Sequence, residues 1–161
     1  MTEPQNVHAT GLVLGKTGLI LRGPSGAGKS LLALDLLDAW EARGLPAKLV
    51  SDDRIDIFAD KGKLTMQAPK SIEGLVELRG RGIVSRPFVR KAPLHLVVDL
   101  VPRLERMVEE EELVTELFGI TLPRCPVPQA GITDARHQLL LIKEALRDIT
   151  PGKPVARQKD T

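Results

Sequence analysis

The chain has 161 residues, 42% of them apolar and 27% charged, and its 23 basic and 21 acidic side chains leave a formal net charge of +2. That length fits one domain with a real core, and the near-balance of charge gives no global electrostatic case for a nucleic-acid or membrane partner. One Trp, three Phe and no Tyr leave few platforms on which bases could stack, and a single Cys excludes an intrachain disulfide.

No run approaches the roughly 18 apolar residues that cross a bilayer. The N-terminal MTEPQNVHAT lacks the apolar stretch of a signal peptide, so the expected compartment is the cytoplasm. One domain is expected over residues 1–150, followed by a disordered polar tail over 151–161.

In chain order, Leu12 to Leu14 and Gly18 to Leu21 read as a hairpin-like pair of strands, the second running straight into a glycine-rich segment. Leu31, Leu32, Leu34, Leu36, Leu37 and Trp40 then follow helical spacing until Gly44-Leu45-Pro46. Lys48 to Val50 is a brief strand ending in Ser51-Asp52-Asp53. Arg54 to Phe58 and Lys63 to Gln67 form a hairpin about Lys61-Gly62. Ser71 to Gly74 is expected as a short helical turn. Leu94 to Val101, the most hydrophobic strand, belongs inside a sheet.

Arg103 to Glu112 has helical character, and Leu113 to Phe118 returns as a strand. Pro123, Pro126 and Pro128 are expected to forbid regular structure around Cys125. The last helix is expected from Thr133, with Leu139, Leu140, Ile142, Leu146 and Ile149 as its apolar face and Pro151 as its stop.

Gly23-Pro24-Ser25-Gly26-Ala27-Gly28-Lys29-Ser30 matches the full G-x-x-x-x-G-K-[ST] pattern, between an apolar run and a helix. The glycines let the backbone wrap tightly and turn its N–H groups toward an anion, and the helix adds the positive end of its dipole. Lys29 would neutralise β- and γ-phosphate oxygens of ATP, and Ser30 would ligate Mg²⁺. Such a site also needs a carboxylate near the metal at the end of a neighbouring strand, and Asp52 and Asp53 stand in that place. Adjacent residues leaving a strand point in different directions, so one can face the metal and the other the incoming nucleophile.

The run from His8 through this loop to Ser51-Asp52-Asp53-Arg54-Ile55, and then Glu77-Leu78-Arg79-Gly80-Arg81-Gly82-Ile83, resembles the catalytic domain of the HPr kinase/phosphorylase family. The resemblance extends from about His8 to about Asp148. It implies an α/β P-loop kinase domain, with a central β-sheet, a helix after the loop and a C-terminal helix. It also implies ATP- and Mg²⁺-dependent transfer to a serine of the phosphocarrier protein HPr or an HPr-like protein, together with the reverse phosphorylase reaction. That activity would regulate phosphotransferase-linked carbohydrate and nitrogen metabolism, in a homo-oligomer.

By the same likeness Asp52 is the catalytic carboxylate and Asp53 stands near the metal. Glu77 supports Mg²⁺, Arg79 contacts the transferring phosphoryl group, His8 precedes the first strand of the domain, and Arg136 is a further active-site arginine. Arg81 departs from the pattern, replacing the usual apolar residue between the glycines of the signature loop. The likeness begins almost at Met1, so the expectation is a short form consisting of the catalytic domain.

Other polar residues read as structural. His95 is expected to be a satisfied core histidine, His137 a surface residue, and Glu109 to Glu112 a solvated face. Arg79, Arg81, Arg86, Arg90 and Lys91 concentrate positive charge, either flanking the phosphate site or docking an acidic protein. Two other functions stay open: a kinase with a different protein or small-molecule acceptor, and a non-catalytic ATP sensor.

Overall fold

The computed structural model describes residues 2–70 and 72–149. Twelve strands and two helices follow one another in this order: β1 (Gln5–Val7), β2 (Ala9–Leu14), β3 (Thr17–Arg22), α1 (Lys29–Ala42), β4 (Ala47–Ser51), β5 (Ile55–Asp60), β6 (Lys63–Gln67), β7 (Leu75–Leu78), β8 (Gly82–Ser85), β9 (Lys91–Pro93), β10 (Leu96–Val101), β11 (Val114–Leu117), β12 (Ile120–Pro128) and α2 (Ala135–Asp148).

Three layers result. A six-stranded sheet, ordered β11-β12-β10-β3-β2-β4, lies between the helices and a four-stranded sheet ordered β1-β5-β6-β9. β3, β10 and β12 are mutually parallel, whereas β2 pairs antiparallel with both β3 and β4. Strand pleating divides the core. Leu19 and Leu21 face the cluster that includes Leu32, Leu36 and Ile142 of the helices. Ile20, between them, joins Ile55, Ile57 and Met66 of the smaller sheet. A strand buried on both faces reads as a near-continuous apolar run, as Gly18 to Leu21 of β3 does and as β10 does apart from Asp99.

Local signals end the elements where they should. After α1, the Gly44 N–H bonds Glu41 O at 2.9 Å and the Leu45 N–H bonds Trp40 O at 3.0 Å, with Gly44 at φ 74°. This is a Schellman C-cap, which needs the left-handed residue that glycine supplies without a Cβ clash. Lys61 (φ 53°) and Gly62 (φ 76°) close the β5–β6 hairpin as a two-residue turn with both φ values positive.

Several expectations fail for identifiable reasons. Arg103 to Glu112 is not an α-helix; the segment is exposed and irregular until a single 3-10 turn at Glu110–Leu113. Leu104, Met107 and Val108 have helical spacing, but Leu104 and Met107 are 53% and 84% exposed, so no packed face holds a helix there. Pro123, Pro126 and Pro128 do not forbid regular structure, since all three lie in β12. β11 pairs only Ile120 to Pro123 of that strand, and β10 only Arg124 to Pro128. By strand alternation, Pro126 and Pro128 turn their nitrogens to the edge that β11 has left, and Pro123 lies before the β10 ladder begins. The prolines therefore remove no ladder bond.

α2 begins at Ala135, two residues later than expected. Asp134 is its cap, with its Oδ1 accepting from the His137 N–H at 2.9 Å. Leu140 is 51% exposed and leaves the apolar face. Glu73–Gly74 form a turn and not a helix, and Ser71 lies outside the described residues. Pro151 and the 151–161 tail also lie outside them. Among the described residues, no helix is long and apolar enough to cross a membrane.

Candidate active site

The glycine-rich loop leaves β3 at the carboxyl end of the parallel strands, where open α/β sheets bind ligands. Gly26 (φ 85°) and Gly28 (φ 98°) hold left-handed conformations that wrap the loop. Gly28 is the N-cap of α1 and offers no side-chain cap, and the first turn of α1 contains no acidic residue. The first-turn N–H groups thus lack the carboxylate or hydroxyl that ordinarily accepts from them, as a phosphate-binding helix terminus requires.

Lys29 is only 6% exposed and donates to Gly23 O at 2.9 Å and Pro24 O at 3.3 Å. A buried ammonium held by carbonyls alone is costly, and an anion in the loop would compensate its charge. These features fit a nucleotide polyphosphate. The loop adjoins a cavity of about 350 Å³ lined by Lys29, Ser30, Asp52, Asp53, Glu77 and Arg79, among others. It brings together most of the residues expected from sequence.

The two aspartates separate sharply. The Ser30 hydroxyl lies 2.8 and 2.9 Å from the carboxylate oxygens of Asp52. Asp53 instead places its Oδ1 2.6 Å from His8 Nε2. A register shift between β2 and β4 near Gly11 and the left-handed backbone of Asp53 (φ 70°) redirect the chain just past β4. Such shifts re-aim side chains beside active sites, and Asp tolerates the left-handed region better than most residues. The contacts thus run opposite to the expected division, in which Asp52 faced the nucleophile and Asp53 the metal.

Thr10 had no sequence signal beyond that of a strand residue. It is fully buried, donates to Asp52 Oδ1 at 3.0 Å and accepts the Asp53 N–H at 3.1 Å. One hydroxyl therefore fixes both aspartates. Among the described residues no three His, Cys, Asp or Glu side chains gather as a protein-only metal cage. A Ser hydroxyl with one carboxylate, completed by substrate phosphates and water, suits Mg²⁺, which seldom takes an all-protein cage.

Arg136 lies exposed in the first turn of α2 and lines neither this cavity nor the one beside it. Arg86 pairs with Asp38 and Arg90 with Glu73, so part of the basic concentration is committed to local ion pairs. Cys125 is buried against Leu141 O, and burial pushes its thiol up to about 12, which leaves it un-ionised and unreactive.

A second feature escaped the sequence reading. Asp99 of β10 takes Nε and a terminal nitrogen of Arg22 at 2.7 and 2.8 Å, and Nε of Arg124 at 2.6 Å. Burial pushes the Asp99 carboxyl up, but the bonds and charges of the two arginines outweigh it and hold the group below its ordinary value. Arg22 immediately precedes Gly23, so this triad ties together the three parallel strands beneath the loop. His95 stands just before β10 and not within it. Its Nδ1 accepts from the Gly18 N–H at 3.0 Å, and burial lowers its pKa.

Residues 1–153 match the family model of the HPr serine kinase C-terminal domain. The chain belongs to that family. It is 36% identical over 157 residues to the HPr kinase/phosphorylase of Lactiplantibacillus plantarum, an alignment covering 90% of this chain and 47% of that protein. To the HPr kinase/phosphorylase of Clostridium novyi it is 37% identical over 147 residues, covering 84% and 45%. The chain thus spans about half the length of the curated relatives it matches. Among solved structures, the Hpr(Ser) kinase/phosphatase from Coxiella burnetii superposes with a TM-score of 0.69 at 30% identity, over 89% of this chain and 95% of that one. The kinase-domain fold implied by the sequence resemblance is therefore the observed one.

Proposed function

We propose that this domain transfers the γ-phosphoryl group of ATP to a serine hydroxyl of HPr or an HPr-like phosphocarrier protein. The observation that carries the reading is the division of the two aspartates lining the cavity, one on the loop serine and the other on His8. In this reading Ser30 and Asp52 hold Mg²⁺, which neutralises charge on the phosphate oxygens. Lys29 and Arg79 add positive charge around the phosphoryl group, and Glu77 supports the metal's water shell.

Asp53 is then the base, the reverse of the role the sequence resemblance implied. Its carboxylate accepts the serine proton as the serine oxygen bonds to the γ-phosphorus and the bond to the β–γ bridging oxygen breaks, releasing ADP. His8 orients that carboxylate. In the reverse direction an oxygen of inorganic phosphate bonds to the phosphoserine phosphorus as the serine O–P bond breaks, giving pyrophosphate, and Asp53 in its protonated form returns the proton to the departing serine oxygen. Names and coverage of the relatives support HPr as the acceptor class, and the compartment in this reading is the cytoplasm.

Incubation with γ-labelled ATP, Mg²⁺ and HPr tests the reading, followed by mapping of the modified residue. Label on one serine, lost again on addition of inorganic phosphate, is the expected result. ATP binding with no transfer under any metal condition would reject the kinase reading in favour of a nucleotide sensor.

A further inference from the structure

Arg22 is the last residue of β3, and Gly23 opens the phosphate loop. The Lys29 ammonium donates to Gly23 O at 2.9 Å and to Pro24 O at 3.3 Å, so its place depends on where these first two residues of the loop lie. Two contacts from β10 fix that take-off. Asp99, in register with Arg22, accepts both prongs of its guanidinium, Nε at 2.7 Å and Nη2 at 2.8 Å. One residue on, a Cβ at Gly23 would fall 3.0 Å from Leu100 Cβ, so the main chain of the loop lies close against β10. A bidentate pair sets angle as well as distance, which a single bond does not.

Arg124 backs this fork from the other side. Its Nε donates to Asp99 Oδ2 at 2.6 Å and its Nη1 to Glu112 O at 2.8 Å. Asp99 is thus gripped from both neighbouring strands and cannot turn away from Arg22. The three side chains are mostly covered, so solvent screens them weakly. None of them lines the polar cavity beside the loop, so they would act on a bound phosphate only through the chain above them. Two guanidinium groups against one carboxylate also leave one positive charge in surplus beneath the loop, which favours an anion there.

We infer that Arg22 is a positioning residue of the phosphate site: its fork on Asp99, backed by Arg124, sets Gly23 and, through Gly23, the Lys29 ammonium that receives the polyphosphate. The inference rests on the phosphate-loop reading. A clasp that only held strands together would lower stability when broken and leave binding unchanged in the molecules that remain folded. A clasp that places Lys29 shows itself in polyphosphate affinity, because a shift of about 1 Å at a site can cost as much as roughly 10²-fold. Arg22→Lys separates geometry from charge, since an ammonium keeps the charge and cannot form the fork.

Calorimetric titration with the magnesium complexes of ATP and tripolyphosphate, well below the unfolding temperature and beside thermal melts, tests the assignment. Arg22→Gln, which loses fork and charge together, is expected to bind both ligands roughly tenfold more weakly, by the same factor for each because the loop itself is displaced. Arg22→Lys, the milder variant, loses about threefold to fivefold. Arg124→Gln, one step further from Gly23, loses less than Arg22→Gln. Ile57→Val, in the core behind the smaller sheet, lowers the melting temperature and leaves both affinities at the parent value. Parent-like affinity in Arg22→Lys, or a lower melting temperature without weaker binding in Arg22→Gln, overturns the positioning role, as does an equal loss of affinity in Ile57→Val. A parent protein that binds neither ligand overturns the phosphate-loop reading itself, and the role of Arg22 with it.

Discussion

His8 Nε2 lies 2.6 Å from Asp53 Oδ1, joining residues on two strand ends 45 positions apart in the chain. Both side chains are more than half exposed, so the pair adds little to stability; its importance is directional. An orienting partner holds a carboxylate base at the angle its proton transfer needs. His8→Ala is therefore expected to lower the transfer rate roughly tenfold to a hundredfold while leaving the Kd for Mg·ATP unchanged. His8→Gln, which can still donate a hydrogen bond, recovers part of the loss. Parallel measurement of kcat and nucleotide affinity checks this.

Thr10 holds both aspartates through one hydroxyl inside the core. Thr10→Val keeps the shape but leaves the Asp53 N–H without its acceptor, costing about 1–3 kcal/mol. For a chain of this size that corresponds to a fall in melting temperature of roughly 2–4 °C per kcal/mol. Thr10→Ser keeps the hydroxyl and should melt near the parent in a thermal denaturation series.

The Arg22–Asp99–Arg124 triad sets an acid limit on stability. Asp99 is held below its ordinary pKa, so the unfolded chain binds its proton more readily than the folded one. Its stabilisation is complete above the unfolded value of about 3.9 and is lost as pH falls through the lower folded value. Asp99→Asn leaves two partly buried guanidinium groups without their counter-ion, a change on the order of 3 kcal/mol at neutral pH. The variant's unfolding free energy should also be flatter below about pH 4 than the parent's. Urea titrations across that range measure both effects.

Gly18 packs where the two sheets approach each other. A Cβ there would fall 1.8 Å from Pro93 O and 2.9 Å from Met66 Cε. Main chain cannot yield as a flexible side chain does, so Gly18→Ala is expected to cost at least about 1–3 kcal/mol. Loss of the Gly18 N–H bond to His95 Nδ1 should accompany it, visible as a shifted imidazole resonance.

Much of this was legible in the sequence because the signals are local. The eight residues from Gly23 to Ser30 state their conformation through glycine spacing, and Lys61-Gly62 names its own hairpin turn. What escaped depended on partners far away in the chain. Three prolines around Cys125 look like a broken strand until the staggered pairing of β12 with β11 and β10 shows which edges are unpaired. Thr10, Arg22, Asp99 and Arg124 look like ordinary strand residues, since their roles arise only when the strands align. The different contacts of Asp52 and Asp53 go with one left-handed backbone angle at Asp53, and strand alternation says that adjacent residues diverge without saying which goes where.

The central claim is that Asp53 handles the proton while Asp52 serves the metal. Single-turnover transfer from Mg·ATP to HPr, measured beside nucleotide affinity for Asp53→Asn and Asp52→Asn, tests it most directly. Asp53→Asn should bind Mg·ATP like the parent and lose about 10²–10⁴ in transfer rate, whereas Asp52→Asn should weaken Mg²⁺-dependent binding itself. Transfer at the parent rate by Asp53→Asn, with the catalytic loss confined to Asp52→Asn at unchanged metal affinity, would contradict the assignment.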